Sequence, residues 1–344
     1  MRAGIIGVTG YGGMELFRLL SAHTEITEVL LYSSSRAGKE LSEEIQHLSH
    51  VQDQELRSMK ELPSDGLDIV FSSAPSGIST EILPSLVDEN LKIIDLAGDY
   101  RIKDADTYRA WYKKEPPPQT LVNDAVYGLT EWKREEVQNG KLIANPGCFP
   151  TAALIGILPL LKEKVIHPAS LVIDAKSGIS GAGATPGKGT HFTQANDSLS
   201  IYKIHQHQHT PEIEQTIQTC TGSETKITFH THLVPMTRGI MTTMYAELTD
   251  SVTSESIKEI FDSYYDSEYF VRVHREKANL FTKQVYGSNF CDVTFAVDER
   301  TNRITVVSCI DNLLKGAAGQ AVQNMNVMFG MEETKGLEAS PMFP

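Results

Sequence analysis

Apolar residues fall in short unbroken runs divided by glycine-rich or polar turns, and the runs alternate with stretches of helical period. Ala3 to Val8 reads as a buried strand, and Met14 to Leu20 as the helix after it. Ile26–Tyr32, Asp68–Phe71, Leu91–Ala97 and Leu142–Ala144 repeat the strand pattern. Ile78 to Asn90 reads as a helix kinked by Pro84. Residues 103–140 read as irregular structure and short helices with nothing catalytic. Strands alternating with helices predict an α/β chain with a parallel sheet. Past residue 150 the pattern changes. An apolar helix, Ala152–Leu161, precedes a strand at Ser170–Lys176. Segments 226–234, 239–248, 290–298 and 303–309 then read as strands of one mixed or antiparallel sheet with one covered face. An amphipathic helix over 254–265 should lie against it. A last long helix runs from Asn312 to about Phe329, with small residues on one face that imply close packing.

Chemistry concentrates at the turns. Gly7-Val8-Thr9-Gly10-Tyr11-Gly12-Gly13 joins the first strand to the first helix. Glycines in that context let a backbone approach a pyrophosphate seated on a helix N-terminus. The second strand ends without the acidic residue that holds a ribose hydroxyl. It ends in Ser33-Ser34-Ser35-Arg36-Ala37-Gly38-Lys39, whose hydroxyls and Arg36 suit a 2′-phosphate and predict NADP. Ser73 lies in the exit loop of the third long strand, near the carboxyl end of the sheet. Arg101 follows the next strand and is a candidate anion ligand or a surface charge.

Asn145-Pro146-Gly147-Cys148-Phe149-Pro150-Thr151 places Cys148 at a strand-to-helix turn. Unpaired N–H groups and the helix dipole there favour a thiolate, the nucleophilic form, and can hold an oxyanion. A small buried core cysteine is the alternative. The loop Ser177–Gly189 is rich in small residues and suits a passage over a cofactor or phosphate. His205, His207 and His209 stand at spacing two. On a strand they would point one way, toward a metal, but no adjacent cysteine or carboxylate completes a site. If Thr210 caps a helix with Pro211 in its first position, the histidine just before it suits acid/base work instead. We expect no metal. Arg238 is a candidate for facing substrate.

The chain has 344 residues, enough for two domains, with 40% hydrophobic and 22% charged residues. A net charge of -13 argues against a nucleic-acid partner and requires a local basic site for any anionic substrate. Four cysteines without metal spacing suggest a reducing compartment. The N-terminal apolar run is too short for a signal peptide, and no segment approaches the ~20 apolar residues of a membrane span. A cytoplasmic protein is expected. Nicotinamide together with a nucleophilic cysteine points to oxidoreduction through a thioester.

The glycine turn with Met14-Glu15-Leu16, the Asn145–Thr151 stretch, Ser180-Gly181-Ala182-Gly183 and His207-Gln208-His209-Thr210-Pro211-Glu212 resemble the N-acetyl-gamma-glutamyl-phosphate reductase family of arginine biosynthesis. The match runs from the first strand to the Asn312–Gln320 segment. The resemblance implies an NADP-binding Rossmann domain over 1–147, completed by 312–344 as a helix returns to it. It implies an α+β catalytic and oligomerisation domain over 148–311, as in glyceraldehyde-phosphate-dehydrogenase-like folds. It implies NADPH-dependent reduction of an acyl phosphate with release of inorganic phosphate, in a homotetramer or dimer. Cys148 would be the nucleophile and His209 the acid/base, supported by His207. Gly7, Thr9, Gly10, Tyr11, Gly12, Gly13, Ser34, Arg36, Ser73, Ser180, Gly181, Gly183, Asn312 and Lys315 would meet the cofactor. Arg101, Asn145, Lys176 and Arg238 would meet the substrate. Two other readings share these residues. One is a related semialdehyde dehydrogenase or aminoadipyl-phosphate reductase. The other is a nucleotide-sensing regulator without chemistry, which would not need the Cys148 setting.

Overall fold

The computed structural model describes residues 1–87, 91–249 and 252–343. Its strands are β1 (Arg2–Ile6), β2 (Glu28–Ser33), β3 (Arg57–Ser58), β4 (Ile69–Ser72), β5 (Lys92–Asp95), β6 (Val126–Tyr127), β7 (Leu142–Ala144), β8 (Val172–Gly178), β9 (Ser200–Tyr202), β10 (Thr228–Val234), β11 (Ile240–Glu247), β12 (Val271–Val273), β13 (Cys291–Asp298) and β14 (Arg303–Ile310). The helices are α1 (Tyr11–Ser21), α2 (Leu41–Glu44), α3 (Ile78–Ile82), α4 (Ala105–Tyr112), α5 (Gln119–Asp124), α6 (Thr130–Asn139), α7 (Cys148–Lys162), α8 (Phe192–Ala195), α9 (His209–Thr221), α10 (Ser254–Tyr265) and α11 (Gly319–Met328).

The chain divides into two compact units. The first takes Met1–Arg109, Lys113–Pro146 and Ala317–Leu337. Its sheet runs β3-β2-β1-β4-β5-β7-β6, with every pair parallel. Ile5 stands opposite Leu31 and Phe71, and all three are fully buried, as expected of a parallel sheet covered on both faces. The strand order reverses direction between β1 and β4, where open α/β sheets take ligands at their carboxyl ends. The glycine turn follows β1 and the Ser73 loop follows β4.

The helix expected over 78–90 is only α3, followed by a tight 3-10 turn at Leu83–Ser85. Pro84, within that turn, cannot supply the N–H that would continue the helix; residues 88–90 lie outside the described residues. The C-terminal helix returns as expected, with α11 against α6 and α1. It does not rely on small residues alone. Asn324 and Gln320, one turn apart, both donate to the Gly128 carbonyl (2.9 and 3.0 Å), and Thr130 donates to Asn324 (2.7 Å). Asn324 also donates to the side-chain oxygen of Asn145, three residues before Cys148 (3.0 Å).

The second unit takes Gly147–Gly316, Ala110–Tyr112 and the chain from Glu338. Its mixed sheet runs β12-β13-β14-β11-β8-β10-β9, with β8–β10 and β12–β13 parallel and the remaining pairs antiparallel. Helix α7 packs on β11 and β14, flanked by α9 and α10. Every residue from Phe149 to Leu161 is buried, so α7 is the core of this unit. Pro159 inside it cannot donate to the Ile155 carbonyl. The buried Tyr265 hydroxyl of α10 supplies that bond instead, at 2.6 Å. The final helix begins with a π-helical turn, Leu314–Ala318, before α11.

Candidate active site

Cys148 is the first residue of α7, and Gly147 is its N-cap. Gly147 has no side chain to cap the helix, and Pro150 contributes no N–H. The first-turn amides of Cys148 and Phe149 precede any carbonyl of an earlier turn, so they suit an oxyanion. Of the four cysteines, all free thiols, Cys148 is half-buried while Cys220, Cys291 and Cys309 are buried. Burial pushes the Cys309 thiol up to about 12, which makes it inert at neutral pH.

Helix α9 brings the histidines to this point. A Cβ on Gly147 would collide with Nε2 of His209, so only glycine permits the imidazole so close to the residue preceding Cys148. His209 and His207 are 8% and 4% exposed. Their rings lie 4.7 Å apart and both meet the edge of Phe149. Nδ1 of His207 accepts the His209 backbone N–H at 3.2 Å, which leaves the ring proton on Nε2. Burial, and secondarily the Lys203 cation, hold His207 down at about 3, so it is neutral at physiological pH. His205 is exposed, its ring 4.9 Å from His230. The start of α9 differs from expectation. His209 is the first helical residue and Thr210 lies inside the helix, its hydroxyl capping nothing.

Three further residues lie near Cys148 or the glycine before it and were not read as site residues from the sequence. Glu212, fully buried, accepts the Gly147 N–H at 2.8 Å. Gly316 in the π-helical turn lies against Cys148, since a Cβ there would sit 2.8 Å from the Cβ of Cys148. Burial, followed by the nearby Cys148, pushes the Tyr202 phenol up. The signals were present: Glu212 follows His209 by three residues, and Gly316 sits in a small-residue run.

The Ser180 loop is anchored in the same unit. Asn312 donates to Ser180 Oγ at 3.0 Å and accepts the Gly239 N–H at 2.7 Å. Ile179–Ala182 forms a 3-10 turn with Ser180 buried, whereas the loop from Gly181 to Gly189 is exposed, with Gly183 at φ +86°. Lys315 is fully buried, its ammonium 5.5 Å from the Phe270 ring centre. Arg238 pairs with the buried Asp311 (3.1 Å) and lies over Tyr286. Lys176 pairs with Asp174 at 2.6 Å. It faces away from α7, because Ala175 and Ser177 take the buried face and side chains alternate along a strand. The structure therefore does not bring Lys176 to Cys148.

In the first unit the glycine turn is a cradle that side chains would fill. Gly7 has φ +83°, and a Cβ there would meet the Ser73 carbonyl at 2.9 Å. A Cβ on Gly13 would collide with the Gly7 carbonyl, and one on Gly12 would stand 3.0 Å from Ser73 Oγ. Helix α1 starts behind Gly10, with no side-chain cap and no acid in its first turn. Thr9 and Tyr11 line the turn, Tyr11 being 44% exposed. This uncapped, glycine-floored helix start fits a dinucleotide pyrophosphate. Beyond β2, Ser34 is exposed and Arg36 reaches Glu44 at 3.1 Å. Arg101 is buried, donating to the carbonyls of Asn145 and Leu96, each at 2.7 Å. Asn145 is buried and donates to the Ala317 carbonyl at 3.1 Å.

Both halves match models of one family. The semialdehyde dehydrogenase NAD binding domain covers residues 2–140, and the semialdehyde dehydrogenase dimerisation domain covers 148–312. The fold is thus that of a semialdehyde dehydrogenase-type oxidoreductase with an NAD(P)-binding half. Among solved structures, aspartate semialdehyde dehydrogenase II of Vibrio cholerae, complexed with ASA, superposes with a TM-score of 0.72 at 15% identity, over 96% of this chain and 98% of that one. Aspartate semialdehyde dehydrogenase of Candida albicans with NADP gives 0.69 at 18%, over 95% and 98%. Sequence relatives are nearer. The N-acetyl-gamma-glutamyl-phosphate reductases of Bacillus subtilis and Halalkalibacterium halodurans are 49% and 50% identical over the whole of both chains. The chain belongs to the N-acetyl-gamma-glutamyl-phosphate reductase family.

Proposed function

We propose that this chain reduces N-acetyl-gamma-glutamyl phosphate to N-acetyl-L-glutamate 5-semialdehyde, releasing inorganic phosphate, in arginine biosynthesis, with NADPH as reductant. The observation that carries the reading is the half-exposed Cys148 at the start of α7, with His209 closed against the glycine before it. The identity and full coverage of the reductase relatives support the acyl group.

His209 takes the thiol proton, and the Cys148 thiolate attacks the acyl carbon. The amides of Cys148 and Phe149 hold the oxyanion as the carbon–oxygen bond to phosphate breaks. A thioester on Cys148 remains and phosphate departs. When bound, the nicotinamide supplies the hydride that reduces this acyl carbon. The protonated His209 supports the resulting hemithioacetal, whose collapse to the aldehyde breaks the carbon–sulfur bond and releases Cys148 as the thiolate. His207, neutral throughout, orients the start of α9 and leaves the proton transfer to His209.

Gly7, Thr9, Gly10, Tyr11, Gly12, Gly13 and Ser73 would hold the dinucleotide, with Ser34 and Arg36 on a 2′-phosphate. Ser180, Gly181 and Gly183, braced by Asn312, form the loop we assign to the cofactor side. Lys315 supports the turn beneath from a wholly buried position. Arg238 is our candidate for the substrate's charge, and Asn145 and Arg101 are further candidates for substrate contact. We also read the protein as a cytoplasmic homo-oligomer, a dimer or tetramer. The four free thiols suit a reducing interior. Tyr245, an exposed aromatic on the outer face of β11, suits self-association.

The test compares phosphate-dependent oxidation of N-acetylglutamate 5-semialdehyde, aspartate semialdehyde and the longer aminoadipate semialdehyde. A clear kcat/KM preference for the first is expected, and a preference for either of the others overturns the substrate assignment.

A further inference from the structure

Glutamate is among the residues least often found without solvent exposure, and burying its carboxylate is costly unless it is hydrogen-bonded. Glu212 has no exposed surface and lies in the first turn of α9, three residues after His209. These two side chains stand on one face of the helix. Both close on a single residue of another helix, Gly147, the N-cap of α7. The imidazole fills the space where a side chain would be, and the carboxylate takes the backbone N–H at 2.8 Å. The next residue is Cys148. The Gly147 N–H lies ahead of the first helical turn and has no carbonyl within α7 to bond, so Glu212 supplies its acceptor. The bond fixes the plane of the Pro146–Gly147 peptide and, through it, the direction in which α7 starts.

We propose that Glu212 is a positioning residue for the Cys148 reaction: it locks the start of α9 to the start of α7, so that thiol and imidazole meet in one register. It acts through the Gly147 backbone. The inference rests on the thioester reading above.

The test uses the full-length enzyme and the variants Glu212→Gln, Glu212→Asp and Glu212→Ala. Steady-state rates with N-acetylglutamate 5-semialdehyde, phosphate and NADP are combined with the pH profile of Cys148 alkylation by iodoacetamide. Gln keeps an oxygen at the same reach, so kcat should stay within about threefold of the parent, with the alkylation profile unmoved. Asp is one methylene short, and a displacement of about 1 Å can cost on the order of 100-fold. It should therefore lower kcat at least about tenfold with KM nearly constant, and move the alkylation midpoint up toward that of an ordinary thiol, about 8.5. A folded Ala variant should resemble Asp. The proposal is overturned if Asp matches the parent in kcat and profile, or if Gln is as impaired as Asp. Loss of the thioester reading itself has a separate signature: the parent enzyme retains turnover after Cys148 is fully alkylated.

Discussion

Cys148 owes its chemistry to what its neighbours lack. Gly147 and Gly316 have no Cβ, and Pro150 has no N–H, so imidazole, π-helical turn and first-turn amides all reach the sulfur's surroundings. Gly147→Ala would push His209 aside and should lower kcat at least about 100-fold, since misplacing a reacting group by about 1 Å can cost that much; circular dichroism should show an intact fold. His209→Asn should lower kcat by roughly 10²–10⁴-fold, the usual contribution of general acid–base catalysis. His207 makes a different prediction. Its folded value of about 3 lies below the ordinary 6.5 of an unfolded histidine. The unfolded chain therefore gains the proton first, and the stability tied to the neutral ring is complete above about pH 6.5 and drains as pH falls toward 3. The slope from this group approaches about 1.4 kcal/mol per pH unit. His207→Asn should flatten the fall in urea midpoint between about pH 6.5 and 4; an unchanged slope would refute it. The sequence showed Cys148 and the His207–His209 run clearly. It did not show which imidazole lies against Gly147, because that depends on where α9 begins, and the neighbouring Thr210-Pro211 mimics a cap two residues too late.

At the level of elements, two helix starts define the active centre and one proline defines its support. Pro159 would break a lone helix, yet α7 continues because Tyr265 of α10 caps the stranded Ile155 carbonyl. Tyr265→Phe leaves that buried acceptor bare and should cost about 1–3 kcal/mol in unfolding free energy, with the m-value unchanged. Such a partnership between distant segments has no local signature. The buried strands and α10 do, and these elements were found within a few residues of expectation. The last helix was legible as an element but not in its manner of packing. Its small residues drew attention, while Gln320 and Asn324 make the bonds to Gly128. In the loop after β2, Arg36 sits on Glu44, a partly exposed pair that a 2′-phosphate can replace. Arg36→Ala should raise KM for NADPH far more than for NADH; an unaltered ratio would refute the NADP assignment.

Over the whole molecule, the sequence announced two architectures because their periods differ: unbroken apolar runs for the parallel sheet, alternation for the mixed one. Self-association is less visible in sequence, since an exposed aromatic such as Tyr245 on the outer face of β11 looks like an ordinary strand residue. Tyr245→Glu should place charge on that face and shift light-scattering mass toward the monomer; unchanged mass would assign the interface elsewhere. The central claim, a covalent acyl-enzyme on Cys148, has a direct test. The enzyme is mixed with N-acetyl-gamma-glutamyl phosphate without nicotinamide, acid-quenched and digested, and its peptides are weighed. One acyl group on the Cys148 peptide, absent in Cys148→Ala, together with loss of turnover in that variant, is the predicted result. An adduct on another residue, or turnover that survives in Cys148→Ala, would contradict it.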